Sequence, residues 1–141
     1  MNKYAFGVDI GGTTVKMGFF DKSGRVLDKW EIPTVKDNDG KSILPDVAES
    51  LLAKMAEKDV REEELAGIGV GAPVAVDSDG TLMGDAVNLG WKSFTNISQL
   101  LNAYINVPIK VANDANAAAF GEMWQGGGRG YSNIFLIVCK P

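Results

Sequence analysis

The chain has 141 residues, a formal net charge of -4, 45% hydrophobic and 23% charged residues, values typical of a globular domain with a real core. Acidic and basic residues are mixed along it, and no basic patch supports a nucleic-acid partner. The chain has no histidine and one cysteine, Cys139, which excludes histidine-based triads and zinc sites ligated by nitrogen and sulfur. Without a signal peptide, a membrane-spanning run or a cysteine pair, the sequence predicts a cytoplasmic protein.

Residues 3–33 predict three strands joined by tight turns. The first apolar run leads into Asp9-Ile10-Gly11-Gly12-Thr13-Thr14. On the glycines alone, the simplest interpretation is a β-hairpin whose turn requires glycine. The alternative is an anion site, since backbone N–H groups without side chains can line a phosphate and the acid can hold a metal ion through water.

The rest of the chain predicts alternating helices and strands, with right-handed crossovers between parallel strands. Ser42 is predicted to cap the first helix, and Asn38-Asp39-Gly40 before it is predicted to be a loop. The apolar stripe of this helix is predicted to consist of Leu44, Val47, Ala48, Leu51, Leu52 and Met55. Apolar spacing at Ile97, Leu100, Leu101, Tyr104 and Ile105 predicts a second helix. The predicted elements are a helix over 42–58, a strand over 65–71, a loop with a hairpin turn over 72–94, a helix from 97, a strand over 109–112, a helix over 114–125 and a strand over 134–138.

Three polar or small segments follow predicted strands. They are Asp9, Gly71-Ala72-Pro73 and Asn113-Asp114. Because ligands of α/β sheets bind beyond the carboxyl ends of strands, we expect these segments to face one cleft.

Two of these regions could carry chemistry on polyhydroxyl ligands. Asp114 begins a predicted helix, where it is equally well explained as a proton acceptor for a sugar hydroxyl or as a simple N-cap. The amide of Asn88 can both donate to and accept from a sugar. For Trp91, in the same loop, a buried anchor is the favoured interpretation over sugar stacking.

The motifs Asp9-Ile10-Gly11-Gly12-Thr13, Gly71-Ala72-Pro73, Asn88-Leu89-Gly90-Trp91 and Asn113-Asp114-Ala115-Asn116-Ala117 resemble, in order and spacing, those of the ROK family of sugar kinases, with bacterial glucokinases the nearest in pattern. The first motif alone is shared by the wider actin and hexokinase superfamily. The resemblance implies an α/β fold, the N-terminal lobe of an actin/hexokinase-like (ribonuclease H-like) protein. Its mixed sheet would have three antiparallel and then parallel strands, with helices on both faces.

The resemblance also implies roles for individual residues. Asp114 resembles the general base that takes the proton of the sugar 6-hydroxyl, which then attacks the γ-phosphate of ATP. Asp9 is expected near Mg²⁺. The implied sugar contacts are Asn88, Asn113, Asp114 and the backbone at Gly71 and Ala72, and the implied first ATP phosphate loop is Gly11, Gly12, Thr13 and Thr14.

Members of the family are longer than this chain and have a second lobe. A second glycine-rich phosphate loop, a Glu-x-Gly-His motif and zinc-binding cysteines have no counterpart in the sequence, so no zinc site is expected. We therefore expect residues 1–125 to form the N-terminal lobe, residues 126–132 a glycine-rich joint, and residues 133–141 the first strand of a truncated second lobe.

The expected function is ATP-dependent phosphorylation of a hexose, with glucose favoured, by a parent protein of which this chain is a nearly inactive fragment. One alternative is a sugar-sensing ROK regulator, although such regulators carry a DNA-binding domain ahead of the first motif and few residues precede Asp9. The other is a non-catalytic lobe. Because an apolar strand over 134–138 would lack a partner, we also expect self-association into a homo-oligomer, and no membrane or nucleic-acid partner.

Overall fold

The computed structural model describes residues 3–21, 25–77 and 79–113, which form a five-stranded mixed sheet with strand order β3-β2-β1-β4-β5. The strands are β1 (Tyr4–Ile10), β2 (Thr14–Asp21), β3 (Val26–Pro33), β4 (Leu65–Ala72) and β5 (Ile109–Asn113). The helices are α1 (Asp37–Gly40), α2 (Ile43–Lys58) and α3 (Ile97–Asn102), with 3-10 turns at Glu62–Glu64 and Val87–Leu89.

The strand directions follow from the lengths of the connections. Strands β1, β2 and β3 pair antiparallel, because only a few residues separate each strand from the next. Strand β4 pairs parallel to β1, and β5 pairs parallel to β4, each after a connection that contains a helix. The predicted order of three antiparallel and then parallel strands is confirmed.

One face of the sheet carries the main core. Phe6 pairs with Phe19, and Val8 pairs with Met17, so these alternate residues lie on the same face and are buried there. Helix α2 buries the predicted apolar stripe against this core and also contacts α3, so both helices cover the same face. Leu52, predicted to belong to the stripe, is instead 40% exposed. The buried residues of α2 are Ile43, Leu44, Val47, Ala48, Leu51 and Met55.

The opposite face of the sheet is lined by small residues. Ala5 pairs with Phe20, and both are fully buried. Next to them, Gly7 lies between Gly18 on β2 and Gly69 on β4. A surface without side chains permits close packing of another element. The predicted helix over 114–125, the joint and the final strand lie outside the described residues.

Helix α2 is attached to strand β3 by a charged and aromatic cluster. Lys54 Nζ lies 2.6 Å from Asp28 Oδ2 and 4.6 Å from the centre of the Trp30 ring. The indole N–H of Trp30 donates to Ser50 Oγ at 2.8 Å. The hydrogen bond from Lys54 is the main cause that lowers the pKa of Asp28, and the same bond raises the pKa of Lys54.

One local prediction is wrong and one needs refinement. The 38–40 segment, predicted as a loop, belongs to the single turn α1, in which Asn38 and Asp39 have positive φ, so it is not a regular helix. Ser42 stands at the N-cap position of α2, but its side chain makes no capping bond. Its backbone is already helical, with φ -87° and ψ -9°, rather than in the extended conformation of a capping residue. The third residue of the helix is Pro45, which has no N–H to donate to the hydroxyl.

The second predicted helix is shorter than its apolar pattern. Helix α3 ends at Asn102, and Leu100 and Tyr104 are 49% and 51% exposed. The reason is the Asn102 side chain, which donates to the carbonyl oxygens of Ile105 and Val107 and so turns the chain toward β5. Among residues 3–21, 25–77 and 79–113, no helix has the length and apolar character needed to span a bilayer.

Candidate active site

The carboxyl ends of the three parallel strands lie side by side. Asp9 at the end of β1 is opposite Gly71 of β4, and Ala72 of β4 is opposite Asn113 at the end of β5. Gly71 and Ala72 are buried, and Asp9 is half-buried. The three segments that are expected to face one cleft therefore meet at one edge of the sheet, for the part that the structure describes, which stops short of Asp114.

The turn between β1 and β2 is held by its own backbone. The N–H of Gly11 donates to the carbonyl oxygen of Thr14 at 3.1 Å. A Cβ on Gly11 would lie 2.8 Å from that same oxygen, so only glycine fits there. Within the described ranges, the N–H groups of Gly12 and Thr13 have no acceptor. The hairpin interpretation is thus confirmed, and the same turn leaves backbone donors that suit an anion.

Asn88 lies beside this turn. A Cβ built on Gly12 would be 3.6 Å from the Cβ of Asn88, which is ordinary van der Waals contact. Asn88 belongs to the 3-10 turn Val87–Leu89 and is exposed. The predicted phosphate loop and the predicted sugar contact, far apart in sequence, are neighbours in space.

Trp91 anchors the loop that carries Asn88. It is 7% exposed, and its indole N–H donates to the carbonyl oxygen of Gly40 at 3.0 Å. The backbones of Ala86 and Trp91 exchange two hydrogen bonds, of 2.8 and 3.2 Å, which close the turn around Asn88. The interpretation of Trp91 as a buried loop anchor is confirmed.

A basic residue lies across from Asp9. Lys16 is its direct partner in the antiparallel β1–β2 pair, so the two side chains project to the same face of the sheet. Side chains at such positions lie close enough to interact. The alternation of β2 is the only sequence signal that could identify Lys16, and using it requires the strand register, which the sequence does not provide.

Thr34 is a second residue that the sequence patterns do not mark. It is buried, its hydroxyl donates to the Gly11 carbonyl oxygen at 2.8 Å, and its N–H donates to the Thr13 carbonyl oxygen at 2.9 Å. A threonine that follows a strand-ending proline has no pattern of its own, so no sequence signal could have found it. These two hydrogen bonds attach Thr34 to the turn between β1 and β2.

Asp114, the predicted base, lies outside the described residues, and the backbone of Asn113 ends β5 opposite Ala72. A groove of about 420 Å³ is lined by Gly40, Gly90 and Trp91 among others, next to the loop that carries Asn88, but none of the described predicted site residues lines it. In the described ranges, no group of three or more histidine, cysteine, aspartate or glutamate residues could hold a metal ion. Asp9 lies in β1 shortly before the turn.

Residues 5–140 match the model of the ROK family. A glucokinase from Halalkalibacterium halodurans is 41% identical over 137 residues, which are 97% of this chain and 41% of the relative. The structure matches that of a ROK family glucokinase from Streptomyces griseus in complex with glucose and AMPPNP, with a TM-score of 0.63 and 29% identity, over 89% of this chain and 37% of that one.

A ROK family transcriptional regulator, a homologue of the E. coli MLC protein, shares the fold with a TM-score of 0.70 and 17% identity, over 86% of this chain and 30% of that one. The chain spans well under half the length of all three relatives. Its mixed sheet is that of the actin/hexokinase-like ROK sugar kinases. Together, the family match over nearly all of the sequence and the shared fold show that this chain belongs to the ROK family.

Proposed function

We propose that the protein containing this sequence is an ATP-dependent hexose kinase that phosphorylates glucose at the 6-hydroxyl. The observation that carries the proposal is the proximity of Gly12 and Asn88 at the carboxyl edge of the sheet, where a Cβ built on Gly12 would lie 3.6 Å from the Cβ of Asn88. Among the described residues, the N–H groups of Gly12 and Thr13 have no acceptor, and the exposed amide of Asn88 lies beside them. This arrangement offers a phosphate and a sugar adjacent places. The 41% identity to a glucokinase favours glucose.

In this proposal the two substrates meet at the edge formed by β1, β4 and β5. The turn after β1 binds the phosphates of ATP, and the half-buried carboxylate of Asp9 holds Mg²⁺ through water, since a hard cation prefers oxygen ligands. Asp114 is the proposed base. The proposed sugar contacts are Asn88, Asn113, Asp114 and the backbone at Gly71 and Ala72, and the proposed phosphate contacts are Gly11, Gly12, Thr13 and Thr14.

Phosphoryl transfer depends mainly on positioning and on stabilising the charge of the transferred group. The metal ion, when bound, would supply part of that stabilisation. The chain supplies backbone dipoles at the turn, the ammonium group of Lys16 on the face of Asp9, and a carboxylate to accept the proton of the attacking hydroxyl.

The proposal is tested by coupled ADP-release kinetics with glucose, using the full-length gene product that contains these residues. Asp114→Asn should lower kcat by about 100-fold or more, because it removes the proton acceptor. Asp59→Asn is the matched control, since Asp59 is an exposed aspartate at the end of α2. Activity of Asp114→Asn equal to that of the control would refute the assignment of the base.

The 141-residue chain alone is proposed to be nearly inactive, because it provides one of the two glycine-rich phosphate loops that the kinases combine. The same assay on the isolated chain measures this. Turnover at the rate of the full-length protein would contradict it. We further propose that the isolated chain self-associates, and light scattering over a concentration series would then give a mass that rises above the monomer.

A sugar-sensing regulator is the second candidate, because the lobe also has the fold of a ROK transcriptional regulator. A regulator would bind sugar without releasing ADP. Glucose binding by calorimetry without ADP release, together with a shifted DNA fragment on a native gel, would favour the regulator. ADP release that depends on glucose favours the kinase.

A further inference from the structure

The segment that follows β3, residues 34–40, contacts both loops of the candidate site. At its start, the hydroxyl of Thr34 donates to the Gly11 carbonyl oxygen at 2.8 Å, and its N–H donates to that of Thr13 at 2.9 Å. At its end, the carbonyl oxygen of Gly40 accepts from the indole N–H of Trp91 at 3.0 Å. We call residues 34–40 the tie segment.

The contact at Thr34 orients a donor of the phosphate loop. In a trans peptide unit the C=O and N–H bonds point in opposite directions, and no peptide bond of the described residues is cis. The Gly11 carbonyl is turned toward Thr34, so the N–H of Gly12 in the same unit is turned away from it. Within the described part of the chain that N–H has no acceptor. The hydrogen bond from Thr34 thus fixes the direction in which the N–H of Gly12 points.

The contact at Gly40 positions the loop that carries Asn88, the proposed sugar contact. Gly40 has φ +71°, and a Cβ there would collide with the carbonyl oxygen of Leu89 and lie 2.9 Å from Trp91 Nε1. The tie segment therefore packs directly on the backbone next to Asn88. The hydrogen bond from Trp91 and the close approach at Leu89 hold the 3-10 turn that contains Asn88 against Gly40.

We propose that the tie segment sets the separation between the phosphate loop and Asn88, with Thr34 as the positioning residue for the nucleotide and Trp91 as the positioning residue for the sugar. This inference rests on the proposed kinase function. Neither side chain needs to touch a substrate, since each acts through the loop that it holds.

The test uses steady-state kinetics of the full-length gene product. Thr34→Val removes the hydroxyl at nearly constant shape and should raise the KM for ATP about tenfold, the effect of one lost hydrogen bond. Thr34→Ser keeps the hydroxyl and should restore the wild-type KM. Trp91→Phe should raise the KM for glucose while leaving the KM for ATP unchanged.

Two matched controls lose the same kinds of bond elsewhere. Thr95→Val removes a hydroxyl that donates to the Lys92 carbonyl oxygen at 2.7 Å, and Trp30→Phe removes the indole donor to Ser50. Both should leave both KM values unchanged. Controls that shift the KM values as much as the tie variants would show that the kinetic effects come from general loosening of the fold, and would overturn the proposal.

Amide hydrogen exchange tests the role of the tie segment independently of catalysis. Thr34→Val should speed amide exchange in residues 11–14, and Trp91→Phe should speed it in residues 86–91, each without changing the other loop. If Thr34→Val does not fold, Thr34→Ala replaces it. Unchanged exchange in 11–14 overturns the inference whether or not the protein is a kinase, whereas a wild type that turns over no sugar overturns only the proposed function.

Discussion

Gly12 and Asn88 are neighbours in space, since a Cβ built on Gly12 would lie 3.6 Å from the Cβ of Asn88. Gly12 follows the first strand, and Asn88 lies in a 3-10 turn after the fourth. Their proximity is produced by the parallel pairing of β1 with β4, which brings both chain segments to the same edge of the sheet. The neighbouring glycines of the turn tolerate substitution to different degrees.

Gly11→Ala should destabilise the protein more than Gly12→Ala. The new methyl group at position 11 would lie 2.8 Å from the Thr14 carbonyl oxygen, and the backbone must move, at a cost of about 1–3 kcal/mol. At position 12 the methyl group has room, and stability should change by about 0.5 kcal/mol or less. Urea unfolding measures both values. Equal losses for the two variants would show that the turn is not held as described.

Gly40→Ala should be strongly destabilising. Gly40 has φ +71° and no room for a side chain against Leu89, so the substitution combines backbone strain with overpacking and should cost about 2–4 kcal/mol. Gly84→Ala is the matched control, because nothing lies within 4 Å of its added Cβ. Thermal unfolding of the two variants should differ clearly. A Gly40→Ala protein as stable as the control would contradict the packing of the tie segment on the Asn88 loop.

The Asp28–Lys54 pair should make stability depend on pH at both ends of the range. The lowered pKa of Asp28 means that its contribution is present above the pKa of the unfolded chain and is lost as the pH falls through the folded value. The raised pKa of Lys54 means that its contribution is present below the unfolded pKa and is lost as the pH rises through the folded value.

Asp28→Asn should therefore reduce the free energy of unfolding by about 1 kcal/mol at neutral pH and flatten the acid limb of the stability profile. The control is Glu57→Gln, whose carboxylate also binds Lys54, at 3.2 Å, but is 58% exposed and should contribute less. Urea titrations from acid to neutral pH give the profile. If the free energy of unfolding of Asp28→Asn fell at acid pH as steeply as that of the wild type, Asp28 would not be the origin of this pH dependence.

Phe94→Gly should keep or raise stability. Phe94 has φ +70° and is 84% exposed, so the aromatic ring contributes little burial while its backbone is strained. Relief of that strain should give about 1 kcal/mol. Asp59→Gly is a comparable change, since Asp59 ends α2 with φ +56°. Differential scanning calorimetry that shows a lower Tm for Phe94→Gly would mean that the ring has contacts that its exposure does not indicate.

Much of the fold follows from local patterns in the sequence. The sequence predicts the three N-terminal strands, the helix that ends at Lys58, and the strands that begin at Leu65 and Ile109. These elements are predictable because hydrophobic spacing and turn residues indicate burial directly. The exposed Leu52 and Leu100 are mistaken for core, because an apolar residue on a helix flank fits the stripe whether or not a neighbour covers it.

The candidate site is predictable only in part, for a different reason. Asp9, Gly71 and Asn113 follow strands, so the rule for parallel sheets is sufficient to bring them together. Thr34 and Lys16 cannot be found in this way. Their relation to the site depends on which carbonyl a hydroxyl meets and on the register of two strands, and both are properties of the folded chain.

The parallel pairing of β1 with β4 also bears on when the site assembles. The β1–β2–β3 meander is made of contacts between residues near in sequence, so we expect it to form early, with one edge of β1 still unpaired. Only when β4 has emerged and crossed over can Asp9 acquire its neighbour Gly71. During synthesis on the ribosome the open edge of β1 is therefore the surface at which a misfolded or aggregated form would begin.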